Sequence, residues 1–162
     1  MLSEPITVRQ ATVEDIPFLR IMIWDAILAS PAQLARYGLE TMQQLENQYW
    51  SNWAKSMSPD PSFVAVDASG RKLGAITVKP NDTNNPVQGW RIGIGVDKSA
   101  RGYGVGKLLM ERAIAFAREQ KALYVTLFVD PTNASAIRLY QRVGFIEVGE
   151  KYGLIEMRIQ CE

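Results

Sequence analysis

The sequence predicts an α/β fold in which helices cover a mixed sheet, an α+β arrangement with one locally parallel pair of strands. Residues 90–96 alternate apolar side chains with small or polar ones and run into a glycine-rich loop, after which apolar residues recur at helical spacing. Residues 123–129 are apolar on both faces except for Thr126, as expected of a strand covered by helices on both sides. Strand, helix and strand make a right-handed βαβ unit, so these two strands run parallel.

The part of the chain before this unit is predicted to contain one strand, two helices and a hairpin. Thr12 and Asp15 mark the start of the first helix, and Ser30-Pro31 ends it because the residue before proline leaves helical geometry. The predicted elements are a strand over 6–10, helices over about 12–30 and 32–55, and hairpin strands over 62–67 and 72–79.

The part after the unit is predicted as a helix followed by a closing hairpin. Asn133 is placed to cap the helix, and Gly144 is placed to end it as the C′ residue. Strands over 145–151 and 154–159 are joined at Tyr152-Gly153. The predicted order is therefore β-α-α-β-β-β-α-β-α-β-β.

Composition excludes several classes of function. The 162 residues carry a net charge of +1, from 18 basic and 17 acidic residues, so no global field recruits nucleic acid or an anionic membrane. The chain has no histidine and one cysteine, Cys161, which disfavours zinc sites, histidine-based triads and an internal disulfide. It shows neither a signal-peptide pattern nor an apolar run near the ~20 residues of a membrane span. We therefore expect a cytoplasmic protein without a metal, a nucleic-acid partner or a membrane partner.

The glycine loop, defined as residues 101–107 (Arg-Gly-Tyr-Gly-Val-Gly-Lys), is the most informative stretch. The first N–H groups of a helix lack intrahelical partners, and the helix dipole favours negative charge there. Glycines let a diphosphate approach without meeting Cβ atoms. A flexible turn is the alternative, but the flanking Arg101 and Lys107 favour a phosphate site.

Two common nucleotide-binding motifs do not fit the glycine loop. A G-x-G-x-x-G motif that begins at Gly102 and Gly104 has Lys107 where the third glycine belongs. A Walker A motif has Arg101 at its first glycine and Leu108 after its lysine. The phosphate ligand is therefore of another kind.

Two further glycines lie inside the predicted strand over 90–96. Gly93 and Gly95 share a face with Arg91, opposite the apolar side chains of the strand. Glycine inside a strand marks close approach by a ligand or by another part of the chain. A neighbouring helix explains the pattern as well as a ligand does, and the glycine loop immediately downstream favours the ligand.

The spacing that fits the glycine loop is R-x-x-G-x-G, made by Arg101, Gly104 and Gly106. Residues 133–145 then fit N-x-x-A-x-x-L-Y-x-x-x-G-F, one strand further along the chain. With both motifs in this order, the sequence resembles the GCN5-related N-acetyltransferase (GNAT) superfamily over nearly its whole length. The resemblance implies the acyl-CoA N-acyltransferase fold with a splayed central parallel strand pair, as a single N-acetyltransferase domain over residues 1–162.

The resemblance also implies acetyl-CoA as cosubstrate. Its diphosphate would bind the glycine loop, and its pantetheine amides would bond to the freed backbone of Ile94 and Val96. The implied cofactor-binding residues are Ile94, Gly95, Val96, Arg101, Gly102, Gly104, Val105, Gly106, Lys107, Asn133 and Tyr140.

Tyr140 is the predicted catalytic residue. A leaving thiol titrates near ~8.5, and a phenol near ~10 can donate a proton to it without a large pKa shift. Tyr140 lies where the family has its general acid; core packing is the alternative, because apolar residues share its helix face. Main-chain N–H groups near 94–96 are expected to polarise the thioester oxygen. The general base stays open, with Glu40 or Asp25 acting through ordered water as candidates.

The predicted function is an acetyl-CoA-dependent N-acetyltransferase that acts on a primary amine of a small molecule or peptide by direct attack in a ternary complex. The family covers its acceptor site with the region between the first two helices. Acceptor-contact candidates are therefore Trp24, Tyr37 and Trp50, with core packing as the alternative for aromatics at this spacing. Glu40 and Glu46 could attract a cationic amine.

A non-catalytic acyl-CoA-binding regulatory domain on the same fold is the alternative function. Some family members carry a glutamate on the strand over 90–96, where this chain has Gly93 and Gly95, and its absence favours the alternative. Tyr140 argues against it. Dimers are common in the family, which leaves a homodimer open.

Overall fold

The computed structural model describes residues 2–28, 31–56, 61–82, 84–85 and 88–161, with their side chains apart from those of 25–28, 33 and 52–56. Its elements are β1 (Thr7–Gln10), α1 (Ile16–Leu28), α2 (Pro31–Tyr37), α3 (Leu39–Ser56), β2 (Ser62–Val66), β3 (Lys72–Pro80), β4 (Gly89–Val96), α4 (Val105–Glu119), β5 (Tyr124–Val129), α5 (Ala134–Val143), β6 (Ile146–Lys151) and β7 (Leu154–Gln160). Short 3₁₀ turns lie at Val13–Asp15 and Lys98–Ala100. Each predicted strand is present, and its ends differ by a residue at most.

The helix predicted over 32–55 is two helices, and that prediction was wrong. Gly38 has a φ of +74°, in the left-handed region that ends a helix. Its N–H donates to the carbonyl of Leu34 at 3.0 Å, and its carbonyl accepts the N–H of Met42 at 3.2 Å. Gly38 therefore ends α2 and begins α3, which gives the chain one helix more than the predicted order.

The strands form one seven-stranded sheet in the order β1-β2-β3-β4-β5-β7-β6. All neighbours are antiparallel except β4 and β5, so the predicted mixed sheet is confirmed. The parallel pair has three residue pairs, Gly89–Tyr124, Trp90–Val125 and Arg91–Thr126, although β4 has 8 residues. Beyond Arg91 the two strands separate and leave a gap in the sheet, which confirms the predicted splayed pair.

Two apolar clusters hold helices on opposite faces of the sheet. Alternate residues of β2 contribute to each, since Phe63 belongs to the α4 side and Val64 to the α1 side. Leu109 of α4 and Leu19 of α1 are fully buried in these clusters. Burying side chains of this size stabilises the fold by about 1.5–3 kcal/mol each, so both helices are held firmly beside the gap.

A buried carboxylate connects the start of the chain to the sheet. Asp15, whose side chain is 2% exposed, accepts hydrogen bonds from Arg9 at 2.7 Å and from the N–H of Thr12 at 2.8 Å, and pairs with Lys72 at 2.8 Å. The hydrogen bond from Arg9 is the main cause that holds the Asp15 pKa well below its usual range. This network joins β1, the first 3₁₀ turn and β3.

Within the described ranges, no helix combines the length and the apolar character needed to span a membrane. The same residues hold no group of three or more His, Cys, Asp or Glu arranged to bind a metal ion.

Candidate active site

The gap between β4 and β5 opens into a cleft of about 1160 Å³. The cleft is lined by the second half of β4, the glycine loop, the first turn of α4, the end of β5 and one face of α5. Every residue predicted to bind the cofactor lines it: Ile94, Gly95, Val96, Arg101, Gly102, Gly104, Val105, Gly106, Lys107, Asn133 and Tyr140. The fold thus brings both sequence motifs to one cavity.

Alternate main-chain groups of β4 face the gap. The N–H of Asp97 donates to the carbonyl of Leu73 on β3 at 2.8 Å. Since successive residues of a strand direct their N–H and C=O groups to opposite edges, those of Ile94 and Val96 face away from β3. The β4–β5 pairing has already ended at Arg91 on that side. Ile94 and Val96 therefore present backbone donors and acceptors to the cleft.

The glycine loop adopts a conformation that favours glycine. Gly102 and Gly104 have φ angles of +86° and +79°, and a Cβ atom on either would meet no atom within 4 Å. The first helical bond of α4 runs from the N–H of Leu108 to the carbonyl of Gly104 at 3.1 Å. The N–H groups of residues 105–107 precede that bond, so no helical carbonyl accepts them. Free N–H groups at the positive end of the helix dipole make this helix start, which we call the anion site, favourable for a negative charge.

Arg101 adds positive charge beside this anion site. Its Nε–H donates to the carbonyl of Val96 at 3.3 Å, which holds the side chain over the end of β4. Lys107 is exposed and lies 3.9 Å from Glu111, one helical turn along α4. A diphosphate would therefore meet backbone donors together with two cationic side chains, and the residues present fit such a group.

Two further glycines of the site lie against neighbouring helices. A Cβ atom on Gly95 would lie 2.5 Å from the carbonyl oxygen of Met22 in α1. One on Gly106 would lie 2.9 Å from the Cδ2 atom of Leu139 in α5. A ligand and a neighbouring helix were the two reasons considered for the glycines of β4, and the ligand was preferred. At Gly95 the reason is the neighbouring helix, so that preference was wrong.

Tyr140 reaches the cleft from α5, whose two ends are fixed as predicted. The Asn133 side chain accepts the N–H of Ala136 at 3.3 Å, and Gly144 ends the helix with a φ of +119°. Tyr140 is 8% exposed, and its ring centroid lies 6.3 Å from that of Phe145. Burial raises its pKa to about 12. Tyr140 thus packs in the core while it lines the cleft, and its phenol stays neutral well above physiological pH.

The three aromatic acceptor candidates lie in different environments. Trp50 is 2% exposed in the cluster under α1, so the core-packing alternative holds for it. Trp24 is half-buried on α1, outside the described lining of the cleft. Tyr37 lines a smaller pocket of about 160 Å³, which shares Arg91 with the cleft. Of the three, Tyr37 is therefore the candidate that the fold places beside the cleft.

Glu40 and Glu46, which were predicted to attract the acceptor amine, are not among the described residues that line the cleft. Glu46 pairs with Arg20 at 3.1 Å, which offsets the charge that was expected to attract a cationic amine. Glu40 is exposed on the first turn of α3. The side chain of Asp25 lies outside the described residues. A general base among Glu40 and Asp25 stays a prediction.

Sequence reasoning missed several charged residues of the cleft, and Asp130 and Arg91 are two of them. Asp130 accepts the N–H of Thr132 at 2.9 Å and the N–H of Ala32 at 3.3 Å, which ties the start of α2 to the end of β5. No local motif signals this link, because the two segments are distant in the chain. Arg91 shares its strand face with Gly93, and this alternation could have identified it as a residue of the site.

Comparison with known proteins agrees with this architecture. Residues 24–145 match the model of the Acetyltransferase (GNAT) family. A mycothiol acetyltransferase from Paenarthrobacter aurescens (strain TC1) is 33% identical over 111 residues, which cover 67% of this chain and 33% of that relative. The chain thus spans about a third of the length of the curated relatives it matches.

Two solved structures share the fold. An N-acetyltransferase from Staphylococcus aureus Mu50 has a TM-score of 0.75 at 22% identity, covering 98% of this chain and 100% of that one. The yncA protein from Salmonella typhimurium, solved with its cofactor acetyl-CoA, has a TM-score of 0.73 at 22% identity, covering 98% and 95%. With the family match over residues 24–145, they confirm the predicted resemblance: the chain belongs to the GNAT acetyltransferase family.

Proposed function

We propose that this chain is an acetyl-CoA-dependent N-acetyltransferase, in one domain, that acetylates a primary amine of a small molecule or peptide by direct attack in a ternary complex. The observation that carries the proposal is the convergence of an anion-binding loop, a gap in the sheet and Tyr140 on one cleft. Membership of the GNAT family supports it. So does the structural neighbour that was solved with acetyl-CoA.

The glycine loop and β4 would hold the cosubstrate at its two ends. The N–H groups of residues 105–107, with Arg101, would bind the diphosphate. The backbone of Ile94 and Val96 would bind the amides of the pantetheine arm along the gap. One N–H group of this stretch of β4 would also polarise the acyl oxygen, a role that preorganised backbone donors fill well in a cleft shielded from water.

Tyr140 would supply the proton that the reaction needs on sulfur. Bound acetyl-CoA supplies a thioester: the C–N bond forms, the C–S bond breaks, the leaving thiolate takes the Tyr140 proton, and the proton lost by the amine passes through water to a base and so restores the phenol. Because the Tyr140 pKa is about 12, complete proton transfer to an ordinary thiolate near ~8.5 is uphill by about 5 kcal/mol. We therefore expect Tyr140 to deliver its proton while the carbon–sulfur bond breaks, and not to ionise beforehand.

Release of free thiol from acetyl-CoA over a panel of amines tests the function. The panel contains amino acids, their amides, polyamines and peptide N-termini. Turnover with at least one amine, lost in Tyr140→Phe while acetyl-CoA binding persists, supports the proposal. Calorimetric binding of acetyl-CoA without turnover of any amine would instead support a non-catalytic acyl-CoA-binding domain.

A further inference from the structure

The smaller pocket beside the cleft, which we call the basic pocket, is built from cationic and tyrosine side chains. It is lined by Arg36, Tyr37, Arg91, Lys151 and Tyr152, together with the apolar residues Phe128 and Leu154. We propose that the basic pocket binds an oxyanion, a carboxylate or a phosphonate-like group, carried by a small acceptor amine. This inference rests on the proposed function and specifies the class of acceptor.

The charge of the basic pocket has one sign. Three of its lining residues, Arg36, Arg91 and Lys151, are cationic, and none of its described lining residues is acidic. Within the described part of the chain, none of the three forms an ion pair with a carboxylate. Cations placed together repel one another, and an anion between them removes that repulsion. The pocket is therefore complementary to an anion and not to a polyamine.

Tyrosine rings hold the Arg36 guanidinium in place. Its Cζ atom lies 3.2 Å from the ring centroid of Tyr152 and 4.9 Å from that of Tyr37. The Nζ atom of Lys151 lies 5.3 Å from the same Tyr152 ring. A guanidinium stacked by its face keeps its edge N–H groups available, and that edge matches the two oxygens of a carboxylate. Stacking thus preorganises the cation for a planar anion.

Tyr152 has a backbone conformation that is unusual for a bulky residue. Its φ is +57°, and with Gly153 at +78° it forms the turn between β6 and β7. Glycine, asparagine or aspartate normally occupies such turn positions. The Tyr152 side chain is 55% exposed, so burial in the core does not explain it. Strained conformations persist mainly where function retains them, and the contacts of this ring with Arg36 and Lys151 supply a reason.

The basic pocket lies where an acceptor could reach it. Arg91, Phe128 and Leu154 line both the pocket and the cleft that contains Tyr140. Arg91 is also the last residue of β4 that pairs with β5, so it marks the point where the gap begins. The pocket volume of about 160 Å³ is many times the roughly 10–15 Å³ that one water needs by this measure, enough for an oxyanion and a few carbons. An amine in the cleft can therefore place its anionic end among the three cations.

Matched acceptors test the proposal through thiol release at fixed ionic strength. Each arm compares an amino acid with its carboxamide, and further arms use the aminophosphonate analogue and spermidine. We expect kcat/KM to be at least about tenfold higher for the acid or the phosphonate than for the amide, as for a charge-assisted hydrogen-bonded pair. The better of these two arms identifies the oxyanion. Equal turnover of acid and amide, or a preference for spermidine, would overturn the inference and leave the proposed function intact.

Variants connect this preference to the basic pocket. Arg36→Gln and Arg91→Gln should each reduce the preference for the acid to less than about threefold, whereas Arg36→Lys should retain part of it. Arg118→Gln removes an exposed cation at the far end of α4 and should leave the preference unchanged. If no amine is turned over, the proposed function fails. Calorimetry with the N-acetyl amino acid and its amide then still decides the inference, because equal binding of the two by the wild-type chain would refute it.

Discussion

Replacement of Gly104 by alanine tests the anion-binding loop against a matched position elsewhere in the chain. Gly104 has a φ of +79°, and Gly70, in the turn between β2 and β3, has a φ of +86°. A Cβ atom at either position would meet no atom within 4 Å. Backbone strain is therefore the only direct cost of either alanine. Because the two φ angles are similar, the strain energies should be similar too.

The size of the effect follows from that strain. A non-glycine residue in the left-handed region costs about 1–2 kcal/mol. Residues 101–104 of the glycine loop are exposed, so we expect this part to relax when Gly104 is replaced, which turns the N–H groups of residues 105–107 away from their common focus. Binding of a diphosphate must then restore the strained conformation. The CoA Kd should rise by about 5- to 30-fold in Gly104→Ala and stay at its wild-type value in Gly70→Ala.

Calorimetry with CoA measures these Kd values, and urea unfolding measures the stability of each variant. S-acetylpantetheine, which lacks the diphosphate, provides a second control, since its kcat/KM should be the same in Gly104→Ala and wild type. Two results would refute the reasoning. One is a wild-type Kd for CoA in Gly104→Ala, and the other is an equal loss with S-acetylpantetheine, because either places the diphosphate away from the loop.

Three further predictions concern the rest of the molecule. Tyr140→Phe should lower kcat by about 10²- to 10⁴-fold with little change in the acetyl-CoA Kd. Because the Tyr140 pKa is about 12, the wild-type rate should show no loss from phenol ionisation up to pH 10. A decrease in rate below pH 10 that Tyr140→Phe abolishes would contradict this. Gly95→Ala should lower the free energy of unfolding by about 1–3 kcal/mol, since its Cβ would lie 2.5 Å from the Met22 carbonyl oxygen. An unchanged urea midpoint would show that α1 shifts to accommodate the methyl group without loss of stability. Asp15→Asn should cost about 2–3 kcal/mol at neutral pH. The Asp15 pKa is lowered in the folded chain, so its contribution is present above the unfolded pKa and lost as pH falls through the folded one. Urea titrations should therefore show a steeper acid loss of stability in wild type than in Asp15→Asn, and parallel losses would contradict the assignment.

Local patterns in the sequence were sufficient for the strands and for the residues of β4, the glycine loop and α5 that line the cleft. The alternation along β4 places Ile94 and Val96 on one edge and face, and the spacing of glycines after it fixes where α4 begins. The caps at Asn133 and Gly144 are short-range chemistry that a sequence displays directly. Features that depend on residues close together in the sequence can be predicted without a structure.

Long-range contacts account for what the sequence did not reveal. The cause of the glycine at position 95 is the main chain of Met22, which alternation along β4 does not show. The basic pocket assembles Arg36 from α2 with Tyr152 from the last hairpin, and neither residue belongs to a motif. The sequence alone also did not predict the break at Gly38, because a glycine within a helical pattern can either continue the helix or end it.

The short β4–β5 pairing has a consequence for the apoprotein. Among the described residues, the four strands on one side of the sheet are joined to the three on the other by three residue pairs and by the hydrogen bond from the N–H of Leu123 to the carbonyl of Gln88. A pantetheine arm hydrogen-bonded along this seam would act as a missing strand. It would slow amide hydrogen exchange in both flanking strands. By mass action it would also raise the free energy of unfolding by about 2.7 kcal/mol at a hundredfold excess over Kd, and the melting temperature with it. Cellular acyl-CoA levels would then set the lifetime of the folded chain as well as its rate of turnover.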